Sequence, residues 1–78
     1  MIIKRIKDLR EDNDLLQSDI AKILNTTQQH YSRYEMGTNL IPIDRIKKLA
    51  LYYNTSIDYI VGLTDEKKPY PRTTKKDF

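Results

Sequence analysis

The stretch LNTTQQHYSRYEMG, residues 24–37, contains the start and stop signals of consecutive helices in a chain of 78 residues. Asn25 tolerates the left-handed backbone conformation in which many helices end. Thr27 (or Thr26) offers a hydroxyl group to cap the start of the next helix. Gly37 is predicted to end that helix, because glycine adopts positive φ without steric cost. The stretch therefore predicts one helix end, a short turn and a complete second helix.

The side chains of this second helix fall into two arcs when successive residues are placed about 100° apart. One arc holds compact hydrogen-bonding groups, which belong to Gln28, Gln29, Ser32 and Arg33. The other arc holds large rings and one acid, which belong to His30, Tyr31, Tyr34 and Glu35. We expect the aromatic arc to face the core and the polar arc to face outward.

Similar signals predict four other helices, and no segment alternates as a strand would. Apolar residues recur at helical spacing in three of them: Ile2, Ile3, Ile6 and Leu9; Ile20, Ile23 and Leu24; Ile46, Leu49 and Tyr53. Further boundary signals are Pro42 in the first turn of the fourth helix, Asn54 at its end, and Ser56 and Gly62 flanking the last helix. The sequence thus predicts an all-α, compact five-helix bundle.

The composition changes after the last predicted helix. Residues 65–78, DEKKPYPRTTKKDF, show no apolar periodicity, so residues 1–64 are predicted to form the domain and residues 65–78 a basic, flexible tail. The formal net charge is +3, and most of the excess lies in this tail. Residues 1–36 hold six basic and six acidic side chains, so bulk charge alone does not indicate nucleic-acid binding.

Composition also bears on which chemistry the chain can perform. Cysteine is absent, so disulfides, thiolate nucleophiles and cysteine-based zinc sites are excluded. His30 is the only histidine, and both glycines mark helix ends, so we expect no enzyme, no cofactor and no metal site. No apolar run approaches the roughly 20 residues that span a bilayer. Charges interrupt the N-terminal MIIKRIKDLR, so we expect no signal peptide, no membrane partner and a cytoplasmic location.

The polar arc of the third predicted helix has the chemistry of a surface that reads DNA bases. A glutamine amide pairs a donor with an acceptor and matches adenine N6 and N7, and arginine matches guanine O6 and N7. Each such bidentate pair contributes about 1–3 kcal/mol of discrimination. An ordinary solvated surface is the alternative interpretation of the same side chains.

A set of residues spread over most of the chain resembles one known family. These residues are Gln17, Ala21, the NTT turn at 25–27, Tyr31, Tyr34, Glu35, Gly37, Pro42, Leu49, Ala50 and the segment TSIDYIVGLTD at 55–65. They resemble the lambdoid phage repressor and Cro family, also called the XRE family of helix-turn-helix regulators, over residues 2 to about 65. The resemblance implies a lambda-repressor-like DNA-binding domain whose helix-turn-helix is formed by the second and third helices.

The resemblance also implies roles for individual residues on double-stranded DNA. Base contacts would come from Gln28, Gln29, Ser32 and Arg33. Phosphate contacts would come from Lys4, Arg5, Gln17, Thr27, His30, Thr38, Asn39 and Leu40, the last three through backbone N–H groups. Gln17 would also brace Gln28, and Arg10 would form a structural ion pair with Glu35. Leu16 departs from the family pattern, since a side-chain N-cap is usual at this position and its loss costs about 1 kcal/mol.

The implied function is that of a sequence-specific transcriptional regulator, expected to be a repressor. It would bind a two-fold symmetric operator as a weak homodimer, with its third helix in the major groove. The last helix is the predicted dimer contact, because Ile57, Tyr59, Ile60 and Val61 offer more apolar surface than one inner stripe needs.

The alternative function is that of an antitoxin, or of another protein-interaction module with the same fold. The tail discriminates between the two, because a segment that folds on a partner protein is expected to carry an apolar repeat. Tyr70 and Phe78 are the only large apolar residues of the tail, which favours the regulator.

Overall fold

The computed structural model describes residues 2–72, and in this part of the chain the regular secondary structure is entirely helical. The helices are α1 (Lys4–Asp12), α2 (Gln17–Ile23), α3 (Gln28–Met36), α4 (Ile43–Tyr52) and α5 (Ile57–Val61). The predicted all-α, five-helix architecture is therefore confirmed. Between residues 2 and 72, none of the helices has the length and apolar character needed to cross a membrane.

Side-chain hydroxyl groups begin two of the helices. Thr27 Oγ1 accepts the backbone N–H of His30 at 3.1 Å and caps α3. Ser56 Oγ accepts the backbone N–H of Tyr59 at 3.0 Å and caps α5. Each bond satisfies one of the N–H groups that a helix leaves unpaired at its start. Both residues are the N-caps that the sequence predicts.

The start of α2 is built differently because its N-cap, Leu16, has no side-chain acceptor. Asp19, three residues further on, accepts the backbone N–H of Leu16 at 2.8 Å. This bond is one half of the reciprocal arrangement known as a capping box. The leucine side chain is 66% exposed, so the departure from the family pattern leaves an apolar group on the surface beside Gln17.

Left-handed residues follow the helices as predicted. Asn25 and Asn54 have φ values of 56° and 54°, and Gly37 and Gly62 have values of 79° and 88°. Asp14, which the sequence did not single out, also has a positive φ of 55° in the connection between α1 and α2. Asparagine, aspartate and glycine are the residues that adopt this conformation most readily, so the turns are locally encoded.

A single hydrophobic core joins the helices. Its buried members are Ile6, Leu9, Ile20, Ala21, Leu24, Tyr31, Tyr34, Ile41, Ile46, Leu49, Ala50 and Ile60. Helices α2 and α3 pack on each other, while α1 contacts both α3 and α5. These contacts hold α3 from one side and leave its opposite side exposed.

The chain after α5 differs from the flexible tail that the sequence predicts, because residues 67–72 pack against the junction of α4 and α5. Thr55 is 1% exposed, and its hydroxyl donates to the backbone carbonyl of Lys67 at 2.6 Å. The Tyr70 hydroxyl donates to Asp58 Oδ2 at 2.7 Å. Residues 73–78, the rest of the predicted tail, lie outside the described residues.

Arg72 provides the physical reason for this packing. Its Nη2 donates to the carbonyl oxygens of Ala50 and Thr55 at 3.3 and 3.2 Å, and its Nη1 donates to Asn54 Oδ1 at 3.3 Å. Carbonyl groups at the end of a helix lack partners within the helix, so a cation placed there stabilises the helix end. Pro69 and Pro71 keep the segment out of a regular helix, because proline fixes φ and cannot donate a backbone hydrogen bond.

Candidate nucleic-acid interface

The outward side of α3 carries polar side chains that no other part of the described chain contacts through a hydrogen bond. Gln28, Gln29 and Arg33 are exposed, and their side chains make no hydrogen bond within residues 2–72. Ser32, on the same arc, is half-buried. The structure thus brings the four residues predicted to contact bases onto one face of one helix.

The inward side of α3 anchors this face to the core. Tyr31 and Tyr34 are 0% and 3% exposed, and Glu35 is 8% exposed. The rings of the two tyrosines meet edge to face, with centroids 6.3 Å apart. Because these large side chains are buried at fixed positions, the polar arc projects in a fixed direction from the domain.

An ion pair ties α3 to α1. Arg10 Nε donates to Glu35 Oε2 at 2.7 Å, and Arg10 Nη2 donates to Glu35 Oε1 at 3.1 Å. Nη1 of the same guanidinium donates to the carbonyl of Leu15 at 3.0 Å, in the connection that leads to α2. The pair expected from the sequence is present in the structure in bidentate form, the geometry in which arginine holds carboxylates best.

Gln17 completes the hydrogen bonding of the buried carboxylate. Its Nε2 donates to Glu35 Oε1 at 3.1 Å. The sequence predicted that Gln17 would brace Gln28, so this is a correction: the partner of its amide nitrogen is the carboxylate, which needs donors because it is buried. One side chain thereby links the start of α2 to the end of α3.

The protonation properties of this cluster follow from its geometry. Burial opposes the charge on Glu35, but the hydrogen bonds from Arg10 and Gln17 outweigh burial, so the pKa of Glu35 lies below its ordinary value. The hydrogen bond to the carboxylate raises the pKa of Arg10. Burial, together with the nearby carboxylate, raises the pKa of the Tyr31 phenol. The Tyr31 hydroxyl itself is buried and makes no hydrogen bond of standard geometry within residues 2–72. The cluster is therefore ionised as a pair at neutral pH.

The loop after α3 corrects a second expectation. The backbone N–H groups of Thr38 and Asn39 both donate to the carbonyl of Arg33, at 3.1 and 3.3 Å, and the Thr38 hydroxyl donates to it at 3.3 Å. These groups close the end of α3 after the left-handed Gly37 and are not directed outward to phosphate. Leu40 is 72% exposed, and its N–H has no partner in the described chain, so among the three amides predicted to bind phosphate it is the one that remains free.

Arg5 corrects a third expectation, because its guanidinium faces α5. Nη1 donates to the carbonyls of Tyr59, at 2.7 Å, and of Thr64, while Nη2 contacts Asp65 Oδ1 at 2.6 Å. Its Cζ also lies 4.1 Å from the centroid of the Tyr59 ring. The physical reason is the same as for Arg72, since each cation binds a carbonyl in the last turn of a helix, Tyr59 in α5 and Ala50 in α4. Lys4 is exposed and has no such partner in the described chain.

His30 lies at the edge of the interface and leads to residues that the sequence did not single out. Its Nε2 is 2.9 Å from the hydroxyl of Tyr34, and that hydroxyl accepts a hydrogen bond from Arg45 Nη1 at 2.7 Å. The signal that would have revealed this network is general: a tyrosine on the core face of a helix needs a partner for its hydroxyl. Within residues 2–72, no group of three or more histidine, cysteine, aspartate or glutamate side chains is arranged to hold a metal.

The fold and this face together define a helix-turn-helix protein, in which α3 occupies the place of the recognition helix. The chain belongs to the helix-turn-helix family of the XRE type, whose model matches residues 6–60. The members of this family are DNA-binding transcriptional regulators.

Several relatives are between 32% and 39% identical to this chain over the aligned residues. The uncharacterized HTH-type transcriptional regulator YobD of Bacillus subtilis is 32% identical over 78 residues, which cover 100% of this chain and 68% of YobD. The antitoxin PezA of Streptococcus pneumoniae is 39% identical over 62 residues, 80% of this chain and 39% of PezA. The cryptic phage CTXphi transcriptional repressor RstR of Vibrio cholerae is 33% identical over 62 residues, 80% of this chain and 56% of RstR. The chain thus spans little more than half of RstR, and less of PezA.

Proposed function

We propose that this protein is a sequence-specific transcriptional repressor that inserts α3 into the major groove of its operator. The observation that carries the proposal is the polar arc of α3. Within residues 2–72, Gln28, Gln29 and Arg33 are exposed and unpaired, and the core and the Arg10–Glu35 pair fix their helix in place. A helix presented in this way needs no rearrangement to reach base edges.

In this proposal the residues of the arc read bases. The amides of Gln28 and Gln29 pair with adenine N6 and N7, and Arg33 pairs with guanine O6 and N7. Ser32, being half-buried, reaches a base only at the rim of the arc. Each bidentate contact is worth about 1–3 kcal/mol of discrimination, so two or three of them are enough to define a half-site.

The phosphate contacts are proposed from groups that the fold leaves available. The Thr27 hydroxyl accepts from His30 and keeps its own hydrogen to donate outward. The N–H of Leu40 and the ammonium group of Lys4 are also free within the described chain. Gln17 can contact phosphate only through hydrogen-bonding groups of its side chain that its bond to Glu35 does not use. Such contacts set the position of the protein on the duplex but do not specify sequence.

The proposed mode of action is occupancy of a promoter in the cytoplasm, by binding and not by catalysis. A homodimer would place two copies of α3 on half-sites about one helical turn apart, roughly 10 base pairs. The likeness to the phage repressor RstR supports repression as the direction of control.

The alternative function is a protein-interaction module, and the likeness to the antitoxin PezA favours it as the second candidate. The segment that would have to bind a partner is the tail, and its described part, residues 67–72, is already packed on α4 and α5. That packing weighs against the alternative, because the segment would first have to leave its own domain.

Selection of bound sequences from a random duplex library tests the proposal. We expect a two-fold symmetric sequence to be enriched, and Gln29→Ala to relax the preference at one position of each half-site by about 5- to 150-fold. The control variant is Asp12→Asn, which changes an exposed residue at the end of α1 and should select the same sequence as the parent. If no sequence is enriched, or if Gln29→Ala selects the parental sequence unchanged, the proposal is wrong and a protein-interaction module becomes the better explanation.

A further inference from the structure

Three side chains form a hydrogen-bond network that runs from α4 to the interface. Arg45 Nη1 is 2.7 Å from the hydroxyl oxygen of Tyr34, and that oxygen is 2.9 Å from His30 Nε2. The histidine and tyrosine rings meet edge to face, with centroids 5.1 Å apart. Tyr34 is 3% exposed, so its hydroxyl has little access to water as a substitute partner.

Only one placement of the hydrogens gives every donor among these three side chains an acceptor. Arginine can only donate, so the Tyr34 oxygen accepts from Arg45 and its hydrogen needs an acceptor elsewhere. A neutral histidine supplies that acceptor at Nε2 when its proton is on Nδ1. If the proton were on Nε2, two donors would face the Tyr34 oxygen and the tyrosine hydrogen would be left without a partner, which is costly at a buried site.

We propose that His30 is a specificity-determining residue whose ring is locked as the Nδ1–H tautomer by Tyr34 and Arg45. In the described part of the chain, Nδ1 has no hydrogen-bond partner and the ring is half-buried at the edge of the polar arc. Locking the tautomer therefore leaves one N–H donor available at the interface. This inference rests on the proposed function, because the donor matters only if α3 meets DNA.

The locked ring recognises hydrogen-bond acceptors on DNA and rejects donors. Guanine O6 and N7, adenine N7, thymine O4 and a phosphate oxygen all accept, while the amino groups of cytosine and adenine only donate. A histidine that was free to exchange tautomers could satisfy either kind of group. Tyr34 and Arg45 are thus positioning residues, and their effect is to restrict the partners of His30 to hydrogen-bond acceptors.

Nitrogen-15 NMR of the free protein tests the tautomer directly, and His30 gives the only imidazole signals in the spectrum. At a pH where the ring is neutral, we expect Nδ1 to be the protonated nitrogen, opposite to the preference of histidine in unstructured peptides. Tyr34→Phe keeps the ring and removes the hydroxyl, and Arg45→Met removes the charged donor. Both variants should shift the population toward the Nε2–H tautomer.

The matched control is Lys48→Met, which also exchanges a cation on α4 for methionine but at an exposed position with no side-chain partner in the described residues. It should leave the ring signals unchanged. Circular dichroism of each variant verifies that the helices are intact. A parent protein with the proton on Nε2, or a Tyr34→Phe spectrum identical to the parental one, overturns the inference.

The second measurement compares operator selection by the parent and by His30→Ala. A base acceptor opposite His30 predicts that the variant loses about 2- to 10-fold of preference at a single base pair. The same loss of affinity on every sequence would mean that Nδ1 donates to a phosphate oxygen, and it would overturn the specificity role. No change on any sequence would show that the Nδ1 donor is not used, which overturns the specificity role. If the parent binds no DNA sequence, the proposed function fails, while the NMR result still reports on the tautomer.

Discussion

Glu35 is the residue on which the orientation of the interface depends most. Its carboxylate is buried and accepts hydrogen bonds from Arg10 and Gln17, so α1, α2 and α3 are joined at one group. Removing one partner of a buried pair costs about 3–5 kcal/mol, because the other charge is left without compensation. A small domain has roughly 5–15 kcal/mol of stability in total.

The first prediction is therefore that Arg10→Met unfolds the protein or nearly so, whereas Gln29→Ala changes the free energy of unfolding by less than about 0.5 kcal/mol. Urea denaturation followed by circular dichroism measures both. The double variant Arg10→Met/Glu35→Leu distinguishes lost charge pairing from lost packing. Because it leaves no buried carboxylate without a partner, it should recover part of the stability. An Arg10→Met variant that unfolds at the same urea concentration as the parent would contradict the structural role of the pair.

The second prediction concerns acid. Hydrogen bonding holds the pKa of Glu35 below its ordinary value of 4.5, so the folded protein binds this proton more weakly than the unfolded chain does. The resulting stability is fully present above about pH 4.5 and is lost as the pH falls through the depressed pKa. We expect the difference in free energy of unfolding between the parent and Glu35→Gln to shrink from about pH 6 to about pH 3. Urea titrations across this range measure it, and a difference that stays constant would mean that the pKa of Glu35 is the same in the folded and the unfolded protein.

Among the elements, α5 is the one that depends most on residues outside itself. It contains only five residues, too few for an isolated helix to persist. Arg5 contacts the carbonyls of Tyr59 and Thr64 at one end, and Arg72 contacts the carbonyl of Thr55 just before the other. The two cations hold the helix between α1 and the segment after it.

The third prediction follows from this dependence. Arg72→Ala should lower the free energy of unfolding by about 1 kcal/mol and speed hydrogen exchange at the amides of α5 more than at those of α2. Lys68→Ala is the matched control, because it removes the same charge from the same segment but its side chain has no partner within residues 2–72. Equal exchange rates in the two variants would show that the segment only rests on α5 without stabilising it.

At the scale of the whole molecule, the proposed homodimer needs a surface on which two copies can meet. The sequence predicted the outer side of α5 as the contact. Ile60 is 1% exposed and faces the core, so this contact would use other side chains. The outward apolar groups near this helix are Val61, Leu63 and Ile2, which are 38%, 77% and 64% exposed. Ile2 and Val61 line the same cleft. A contact built from so few side chains is small, and small interfaces are weak in free protein.

The fourth prediction is that a two-fold symmetric dimer forms through these three side chains and is strengthened on the operator. Leu63→Glu should raise the dimer dissociation constant at least tenfold, about 1.4 kcal/mol, and reduce cooperativity of operator binding. Sedimentation equilibrium measures the first quantity and a binding titration the second. Ile43→Glu, which places the same charge at another exposed apolar site on α4, is the control for dimerisation in free protein. A parent that remains monomeric at all concentrations, with one copy per operator, would exclude the dimer.

The helices and their limits could be predicted from the sequence because their causes are local. Asn25, Thr27 and Gly37 act through their own backbone conformation or through a hydrogen bond three residues away. The division of α3 into two arcs follows from the helical repeat alone, and the burial of Tyr31 and Glu35 agrees with it. The hydrogen bonds from the Thr38 and Asn39 amides to the carbonyl of Arg33 are equally local, because they follow from the left-handed Gly37. That glycine was visible in the sequence, so the involvement of these amides in closing the helix could have been predicted.

The partners of the charged and aromatic side chains were decided by the tertiary structure. Arg5 contacts α5 from a position more than 50 residues earlier in the sequence. Arg45 on α4 donates a hydrogen bond to Tyr34 on α3. The sequence offers each of these cations many carbonyl, carboxylate and hydroxyl acceptors, and only the packing of the helices decides which of them lie within reach. Periodicity states which side of a helix is apolar, but it carries no distance between helices. For that reason the residues proposed to contact bases could be predicted on one face of α3 from the sequence, while the hydrogen bonds that hold His30 became visible only in the folded chain.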